Sequence, residues 1–246
     1  AQQYAGQVRV LSNTEGNVGA KNSFAALLAA STASYVACAD QDDVWLPFKL
    51  QDSLAALQTL EASHGANRPC LVFSDLVVVD AQLQAIAPSF WSYEHVQPQI
   101  AQYLSPLLTQ NVAPGCTMLM NRALLQQALP IPSEAKMHDY WLLLSACVLG
   151  NVSWLERPSV YYRQHGGNQV GAKRFSVLRS LPRLRAEVEA RQQQAAVLLV
   201  RYAERLSPTQ REACEALAQG RRLAMWRAGV KKNTLLKNVG FYGLVR

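Results

Sequence analysis

Residues 35–45 constrain the fold of this chain more than any other stretch. Its first five residues, YVACA, are small, apolar or β-forming, a pattern that predicts a short buried strand rather than a helix. Three carboxylates, Asp40, Asp42 and Asp43, follow this strand within four positions. Because site residues in open α/β sheets collect at the carboxyl ends of strands, the stretch predicts an acidic site at the edge of a sheet.

Carboxylates this close in sequence repel one another, so a positive charge is expected to offset them. An Asp-x-Asp pair at a strand end suits Mg²⁺ or Mn²⁺ held together with substrate phosphates. A second interpretation stays open, in which Asp42 or Asp43 caps the helix that Pro47 begins.

Strand and helix patterns alternate around this stretch. A strand is predicted at 7–11, a helix follows the polar loop 12–19, and a second helix begins near Pro47. The run 71–74 then reads as another buried strand. This order of elements predicts an α/β domain with a parallel sheet.

Two later segments also carry chemistry. His138-Asp139 precedes an apolar helix, where an aspartate is an N-cap or a carboxylate kept ionised by the helix, as a general base requires. His165 follows the strand of residues 159–163 and is itself followed by two glycines. That histidine is structural, or it lies where the backbone can curl around something small.

Individual residues in the connecting loops are weaker candidates. Lys21, in the first turn of a helix, is a surface lysine or a contact for phosphate. Trp91, in an aromatic loop, stacks on a sugar or closes the core. Gly115 permits close approach of a ligand to the backbone.

Charge divides the chain of 246 residues into two parts. Residues 1–173 hold 9 basic and 12 acidic side chains, whereas residues 174–246 hold 15 basic and 5 acidic ones. This asymmetry predicts two modules with different partners. The second reads as long helices that end in a basic amphipathic segment, 230–246, which packs as a lid or lies on an anionic membrane surface.

The remaining composition excludes several classes. No apolar run reaches the roughly 18 to 20 residues that a membrane span needs. The five cysteines are scattered without Cys-x-x-Cys spacing and are predicted to be reduced core residues of a cytoplasmic protein. No nucleic-acid motif is visible in the basic part, so we expect no nucleic-acid partner.

Taken together, five short segments resemble the inverting glycosyltransferases of family 2, and most closely their bacterial rhamnosyltransferase-like members. The segments occur in the family's order and span roughly residues 8–172: Asn13–Asn22, Ala39–Leu50, Asn111–Met118, His138–Trp141 and Tyr162–Asn168. The resemblance implies a GT-A fold, which is a Rossmann-like, mostly parallel sheet that binds a nucleotide-diphosphate sugar. It further implies that the chain lacks the family's first nucleotide-binding strands, and it divides the chain into a partial catalytic domain, 1–173, and a basic helical extension, 174–246.

The resemblance also implies site residues. Asp40 and Asp42 would bind the nucleotide sugar and its Mg²⁺ or Mn²⁺, Asp42 as direct ligand, with His165 at the metal or diphosphate. Asp139 would take the proton from the acceptor hydroxyl. The other implied contacts are Lys21 and Asp43 for the donor and Trp91, Gly115, Thr117 and Trp141 for the acceptor or the sugar.

The function so implied is transfer of a sugar such as rhamnose to a hydroxyl of a glycan or lipid-linked acceptor, in cell-surface polysaccharide synthesis. The expected location is the cytoplasm, with a peripheral contact on the inner membrane face as an option. Two alternatives stay open: a metal-dependent nucleotidyl or phosphoryl transferase, and a non-catalytic basic binding fragment acting through residues 174–246.

Overall fold

The computed structural model describes residues 7–12, 16–65, 67–164, 177–232 and 235–245, and these form an α/β structure. The strands are β1 (Tyr35–Ala37), β2 (Val44–Trp45), β3 (Cys70–Ser74), β4 (Val77–Val79), β5 (Ala85–Ala87), β6 (Leu119–Asn121), β7 (Asn151–Leu155) and β8 (Val160–Arg163). The α-helices are α1 (Gly19–Ala30), α2 (Lys49–His64), α3 (Phe90–Glu94), α4 (Leu104–Leu107), α5 (Arg122–Ala128), α6 (His138–Leu149), α7 (Val177–Arg201), α8 (Pro208–Ala218), α9 (Arg222–Arg227) and α10 (Leu235–Leu244). The prediction of an α/β class is confirmed.

The central sheet has the strand order β1-β6-β3-β7. Strand β6 pairs antiparallel with both β1 and β3, whereas β3 and β7 are parallel. Strands β1, β3 and β7 therefore run in one direction and β6 runs against them, so the sheet is mixed, and the finer expectation of a Rossmann-like, mostly parallel sheet stays a prediction. The reversal arises because β6 begins beside the end of β1, where Ala37 pairs with Leu119, so β6 must run back along the sheet.

A second sheet, ordered β2-β8-β4-β5, lies beside the acidic loop. Its first strand, Val44–Trp45, follows the three aspartates directly and pairs antiparallel with β8. Strand β8 pairs parallel with β4 on its other side. The acidic loop is therefore held between the end of β1 in one sheet and β2 in the other. The finer expectation of an N-terminally truncated GT-A fold stays a prediction.

The C-terminal helices pack on the sheets and share their apolar core. Val188 and Leu198 of α7 and Leu217 of α8 are buried in the same cluster as Phe73 of β3. Polar contacts reinforce this packing, since the Tyr202 hydroxyl donates to Ser145 Oγ at 2.8 Å. The predicted boundary at residues 173 and 174 lies outside the described residues. Within the described residues, no helix is both long enough and apolar enough to cross a bilayer.

Segment 230–246 was predicted to lie on a membrane or form part of a lid, and three of its apolar side chains lie inward. Val230, Phe241 and Val245 are all buried in the main core.

Two smaller differences between prediction and structure concern local elements. Residues 8–12 form no strand, and the helix predicted near 98–110 is a 3₁₀ turn, Pro98–Gln102, followed by the short α4. Pro106 accounts for the interruption, because a continuous helix over 98–110 would need its missing N–H to bond to the carbonyl of Gln102.

Candidate functional site

Asp40 lies just past the end of β1 and is half-buried. Burial raises the pKa of this carboxyl, a protonated His138 would lower it, and the charges of Asp42 and Asp139 raise it further. Asp139 and His138 stand almost a hundred residues further along the chain. The turn of Gly115 and Cys116 connects them to the acidic loop, because the Gly115 N–H donates to Asp139 and the Cys116 thiol lies within 4.8 Å of ligand atoms of Asp40 and Asp43. This convergence is what the sequence-based interpretation requires.

Asp43 is fixed by the end of β8. Its Oδ1 accepts the backbone N–H of Arg163 at 3.0 Å, and the Arg163 Nε–H donates to the carbonyl of Asp42 at 2.9 Å. Burial raises the pKa of Asp43 to about 6, although the Arg163 N–H and the nearby Cys116 thiol oppose the shift. Asp43 Oδ2 is buried and has no hydrogen-bond partner among the described residues. An acceptor atom left in this state is suited to a ligand.

A group of possible metal ligands forms where the acidic loop meets the turn that precedes β6. Ligand atoms of Asp40, Asp43 and Cys116 all lie within 4.8 Å of one another, and no other such group occurs in the described ranges. Burial raises the pKa of the Cys116 thiol well above its ordinary value. The thiol therefore keeps its proton at neutral pH unless a cation displaces it.

The group of converging ligand atoms differs from the set of metal ligands predicted from the sequence. The sequence-based interpretation names Asp42 as direct ligand and His165 as a second contact. Asp42 is absent from the group of converging ligand atoms in the described chain, although its charge raises the pKa of both Asp40 and Asp43. His165 lies outside the described residues. The roles of Asp42 and His165 stay predictions.

Asp139 occupies the first turn of α6 and is held by backbone donors. Its Oδ2 accepts the Gly115 N–H at 3.1 Å, and its Oδ1 accepts the Tyr140 N–H at 2.6 Å. The side chain of Asn111 adds a hydrogen bond that lowers the pKa of Asp139. Burial nevertheless dominates and raises that pKa to about 6. Met137, rather than Asp139, is the N-cap of this helix, so the carboxylate does not serve as the cap.

Gly115 lies directly against the start of α6. A Cβ placed on Gly115 would stand 3.0 Å from His138 Nε2 and 3.3 Å from the Cβ of Asp139. Gly115 therefore lets its own N–H reach the carboxylate, a packing role that differs from the predicted acceptor contact. Thr117, in the same turn, is also buried, and its hydroxyl donates to the Pro114 carbonyl at 2.7 Å.

His138 is buried beside this carboxylate. Its ring stacks on Phe24 with 4.1 Å between centroids, and neither ring nitrogen has a hydrogen-bond partner in the described parts of the chain. Burial lowers the pKa of His138 to about 4, so the ring is neutral at physiological pH. The stacking fixes the ring next to Gly115.

Lys136, three residues before Asp139, connects the site to α7. Its ammonium group pairs with Glu187, and its backbone N–H donates to Gln194 Oε1 at 2.9 Å. Arg191 also pairs with Glu187, at 2.9 Å, and donates to the Thr109 carbonyl at 2.9 Å. The charge of Lys136 lowers the pKa of Asp139. The helical extension thus holds a cation near the Asp139 carboxylate.

Lys49 is a second buried cation below the acidic loop. It is 1% exposed, and its Nζ has no hydrogen-bond partner among the described residues. The ammonium lies 4.9 Å from the centroid of the Trp45 ring. Burial lowers the pKa of Lys49 to about 8, whereas the nearby Cys38 and Cys116 oppose this shift.

Three predicted contacts have other partners in the structure. Lys21 donates to the carbonyls of Ser133 and Ala135, at 2.6 and 3.0 Å, and so ties α1 to the loop before His138. The rings of Trp91 and Trp141 are buried, and their indole N–H groups donate to the carbonyls of Val112 and Ala128. Sugar stacking needs an exposed face, which neither ring has in this structure.

Sequence reasoning missed Cys116, Lys136 and Lys49 as parts of the site. The cysteines were predicted to be core residues, and all five are free in the structure. A signal for Cys116 was its position beside Gly115, in a turn already selected for close approach. Lys136 had no comparable signal, because its partner Glu187 lies in a distant helix.

No protein-family model matches this chain. Two curated proteins are distantly similar to it. A dTDP-rhamnosyl transferase of Shigella flexneri is 27% identical over 147 residues, which is 56% of this chain and 45% of that protein. A Nostoc protein named as an uncharacterized glycosyltransferase is 27% identical over 164 residues, which is 63% of this chain and 47% of that protein. The chain thus spans about half the length of the curated relatives it matches, and both relatives carry glycosyltransferase names.

Proposed function

We propose that this chain carries the metal- and acceptor-side part of an inverting glycosyltransferase, which moves a sugar from a nucleotide-diphosphate donor to a hydroxyl group. The observation that supports the proposal is the turn of Gly115 and Cys116, which contacts Asp139 on one side and converges with Asp40 and Asp43 on the other. One carboxylate lies in an acidic loop suited to a metal-bound diphosphate. The other is half-buried, is held in one orientation by backbone donors and has a pKa raised to about 6, as suits a general base.

In the proposed reaction Asp139 accepts the proton of the acceptor hydroxyl. The acceptor oxygen forms a bond to the anomeric carbon of the donor as the bond from that carbon to the diphosphate oxygen breaks. A single displacement from the opposite face inverts the anomeric configuration and needs no covalent sugar–enzyme intermediate, as in inverting glycosidases. The N–H groups of Gly115 and Tyr140 hold the Asp139 carboxylate in one orientation before the acceptor arrives.

The residues present fit a divalent cation. Asp40 and Asp43 offer hard oxygen ligands, and Asp43 Oδ2 is a buried acceptor without a hydrogen-bond partner among the described residues. When bound, Mg²⁺ or Mn²⁺ would offset charge on the departing diphosphate. Cys116 is a softer donor that favours Zn²⁺ or another thiophilic ion, so the choice of metal is open to experiment.

The first donor to test is dTDP-rhamnose, since one distant relative is named for its transfer. The acceptor class that we propose is a hydroxyl of a glycan or a lipid-linked sugar. Both assignments rest on similarity over part of the chain, and the site contacts support only the general reaction.

The test is ligand-observed NMR of the chain with a panel of nucleotide sugars and nucleoside triphosphates. Mg²⁺ is the added metal, because Mn²⁺ would broaden the signals paramagnetically. We expect a nucleotide-diphosphate sugar to bind, and its binding to weaken in Asp43→Asn, with Asp52→Asn on α2 as the control. Binding of a nucleoside triphosphate with turnover and no sugar requirement would favour the phosphoryl-transfer alternative. Absence of binding by every nucleotide would contradict the proposal for this chain.

A further inference from the structure

Helix α9 exposes two large apolar side chains to solvent. Leu223 is 63% exposed and Trp226 is 66% exposed. Because they are three residues apart, they lie on the same side of the helix. Met225 is fully buried in the main core and attaches the helix to the protein. The exposed pair is therefore displayed on an anchored helix.

Basic residues surround this pair. Exposed cationic side chains stand immediately before, within and after α9: Arg221, Arg222, Arg227 and Lys231. Residues 216–246 contain seven Lys or Arg and no Asp or Glu. We call Leu223, Trp226 and these four cations the α9 surface. Its positive charge favours an anionic partner.

The Arg222 guanidinium also fixes the end of the chain. Its Nε and Nη2 donate to the Val245 carbonyl at 3.1 and 2.8 Å. This contact accompanies the burial of Phe241 and Val245 in the core. Among the side chains that the structure describes in residues 216–246, the large apolar ones exposed to solvent are Leu223 and Trp226.

The chemistry of the α9 surface distinguishes between anionic partners. Tryptophan is enriched at the membrane–water interface, where its ring is buried and its N–H stays hydrated. Leu223 has no aromatic face to stack on a nucleic-acid base, but it is readily buried among acyl chains. Apolar residues flanked by arginine and lysine are the pattern of segments that bind anionic lipid surfaces.

We propose that the α9 surface docks this protein on an anionic lipid bilayer, with Leu223 and Trp226 entering the interface and the flanking cations contacting lipid headgroups. The proposal does not depend on the proposed glycosyl transfer, because lipid binding is measured without substrate.

The test is co-sedimentation of the chain with vesicles of phosphatidylglycerol and phosphatidylcholine, compared with vesicles of phosphatidylcholine alone. We expect binding to the anionic vesicles at low salt that falls as salt screens the headgroups. The Leu223→Ser/Trp226→Ser variant should lower the affinity at least about fivefold, since each buried apolar side chain contributes. Removing charge in Arg221→Gln/Arg227→Gln/Lys231→Gln should lower it by a larger factor.

The matched control is Ile86→Ser, which removes a 48% exposed apolar side chain from β5 and should leave binding unchanged. Circular dichroism of each variant establishes that the fold is retained. A second readout is quenching of tryptophan fluorescence by nitroxide-labelled acyl chains, which Trp226→Phe should largely remove. Equal binding by wild type and the Leu223→Ser/Trp226→Ser variant, no binding to anionic vesicles, or salt-sensitive binding of duplex DNA in place of vesicles would overturn the proposal.

Discussion

The backbone N–H of Gly115 donates to Oδ2 of Asp139 at 3.1 Å, across the gap between the turn before β6 and the start of α6. The Tyr140 N–H fixes the other oxygen of the same carboxylate. A half-buried carboxylate with both oxygens hydrogen-bonded has a defined orientation before any substrate arrives. Such preorganisation is expected of a general base, since misplacement by about 1 Å is costly to catalysis.

The first prediction concerns Gly115. Replacement by alanine places a Cβ 3.0 Å from His138 Nε2, so the start of α6 must move. We expect Gly115→Ala to lower the unfolding free energy by about 1–3 kcal/mol and the transfer rate by about tenfold or more. The control is Gly243→Ala, where no atom lies within 4 Å of the added Cβ. Thermal melts and initial rates measure both effects, and unchanged rates in Gly115→Ala would remove the positioning role.

The second prediction concerns the pH dependence of the reaction. Burial raises the pKa of Asp139 to about 6, and a base must be ionised to accept a proton, so the rate should rise with pH through about 6. Lys136 lowers that pKa, so Lys136→Met should move the acidic limb to higher pH. Lys136→Arg keeps the charge and should leave the limb near its wild-type position. A profile that is flat from pH 5 to 7, or one that Lys136→Met does not move, contradicts this electrostatic role.

The third prediction concerns stability at Lys49. The pKa of Lys49 in the folded protein, about 8, lies below its ordinary value. Below pH 8 the folded state therefore keeps the buried ammonium charged, which lowers the free energy of unfolding. Lys49→Met should raise the unfolding free energy at pH 7 by of order 1–3 kcal/mol. Because wild type loses this cost as pH rises through 8, the gain should shrink by pH 10. Lys231→Met, at an exposed lysine, is the control. Destabilisation at pH 7 would show that Lys49 has a compensating partner.

The fourth prediction separates the two metal-ligand assignments. The structure predicts that Asp43→Asn weakens Mn²⁺ binding at least about tenfold, whereas Asp42→Asn weakens it less. Cys116→Ser should lower the preference for Zn²⁺ relative to Mn²⁺, because a hydroxyl is a harder ligand than a thiol. Calorimetric titration of the three variants gives these constants. Loss of Mn²⁺ binding in Asp42→Asn alone would restore the assignment made from the sequence.

Sequence patterns predicted the positions of the site residues better than they predicted the topology of the sheet. The buried run before Asp40 and the helix after Asp139 are local signals, and β1 and α6 occur where those signals predict them. The reversed direction of β6 depends on a contact between distant segments, which no local pattern records. The same limit applies to Lys136, whose partner Glu187 lies in α7, and to Trp141, whose burial depends on the packing of Tyr202 against it.

The central claim is that Asp139 takes the proton from the acceptor hydroxyl, which then attacks a donor held at the acidic loop. The most direct measurement compares donor affinity and transfer rate in wild type and Asp139→Asn, with Asp80→Asn as a control away from α6. We predict near-normal donor binding and a rate lower by about two to four orders of magnitude. A transfer rate equal to that of wild type in a folded Asp139→Asn protein would contradict the account.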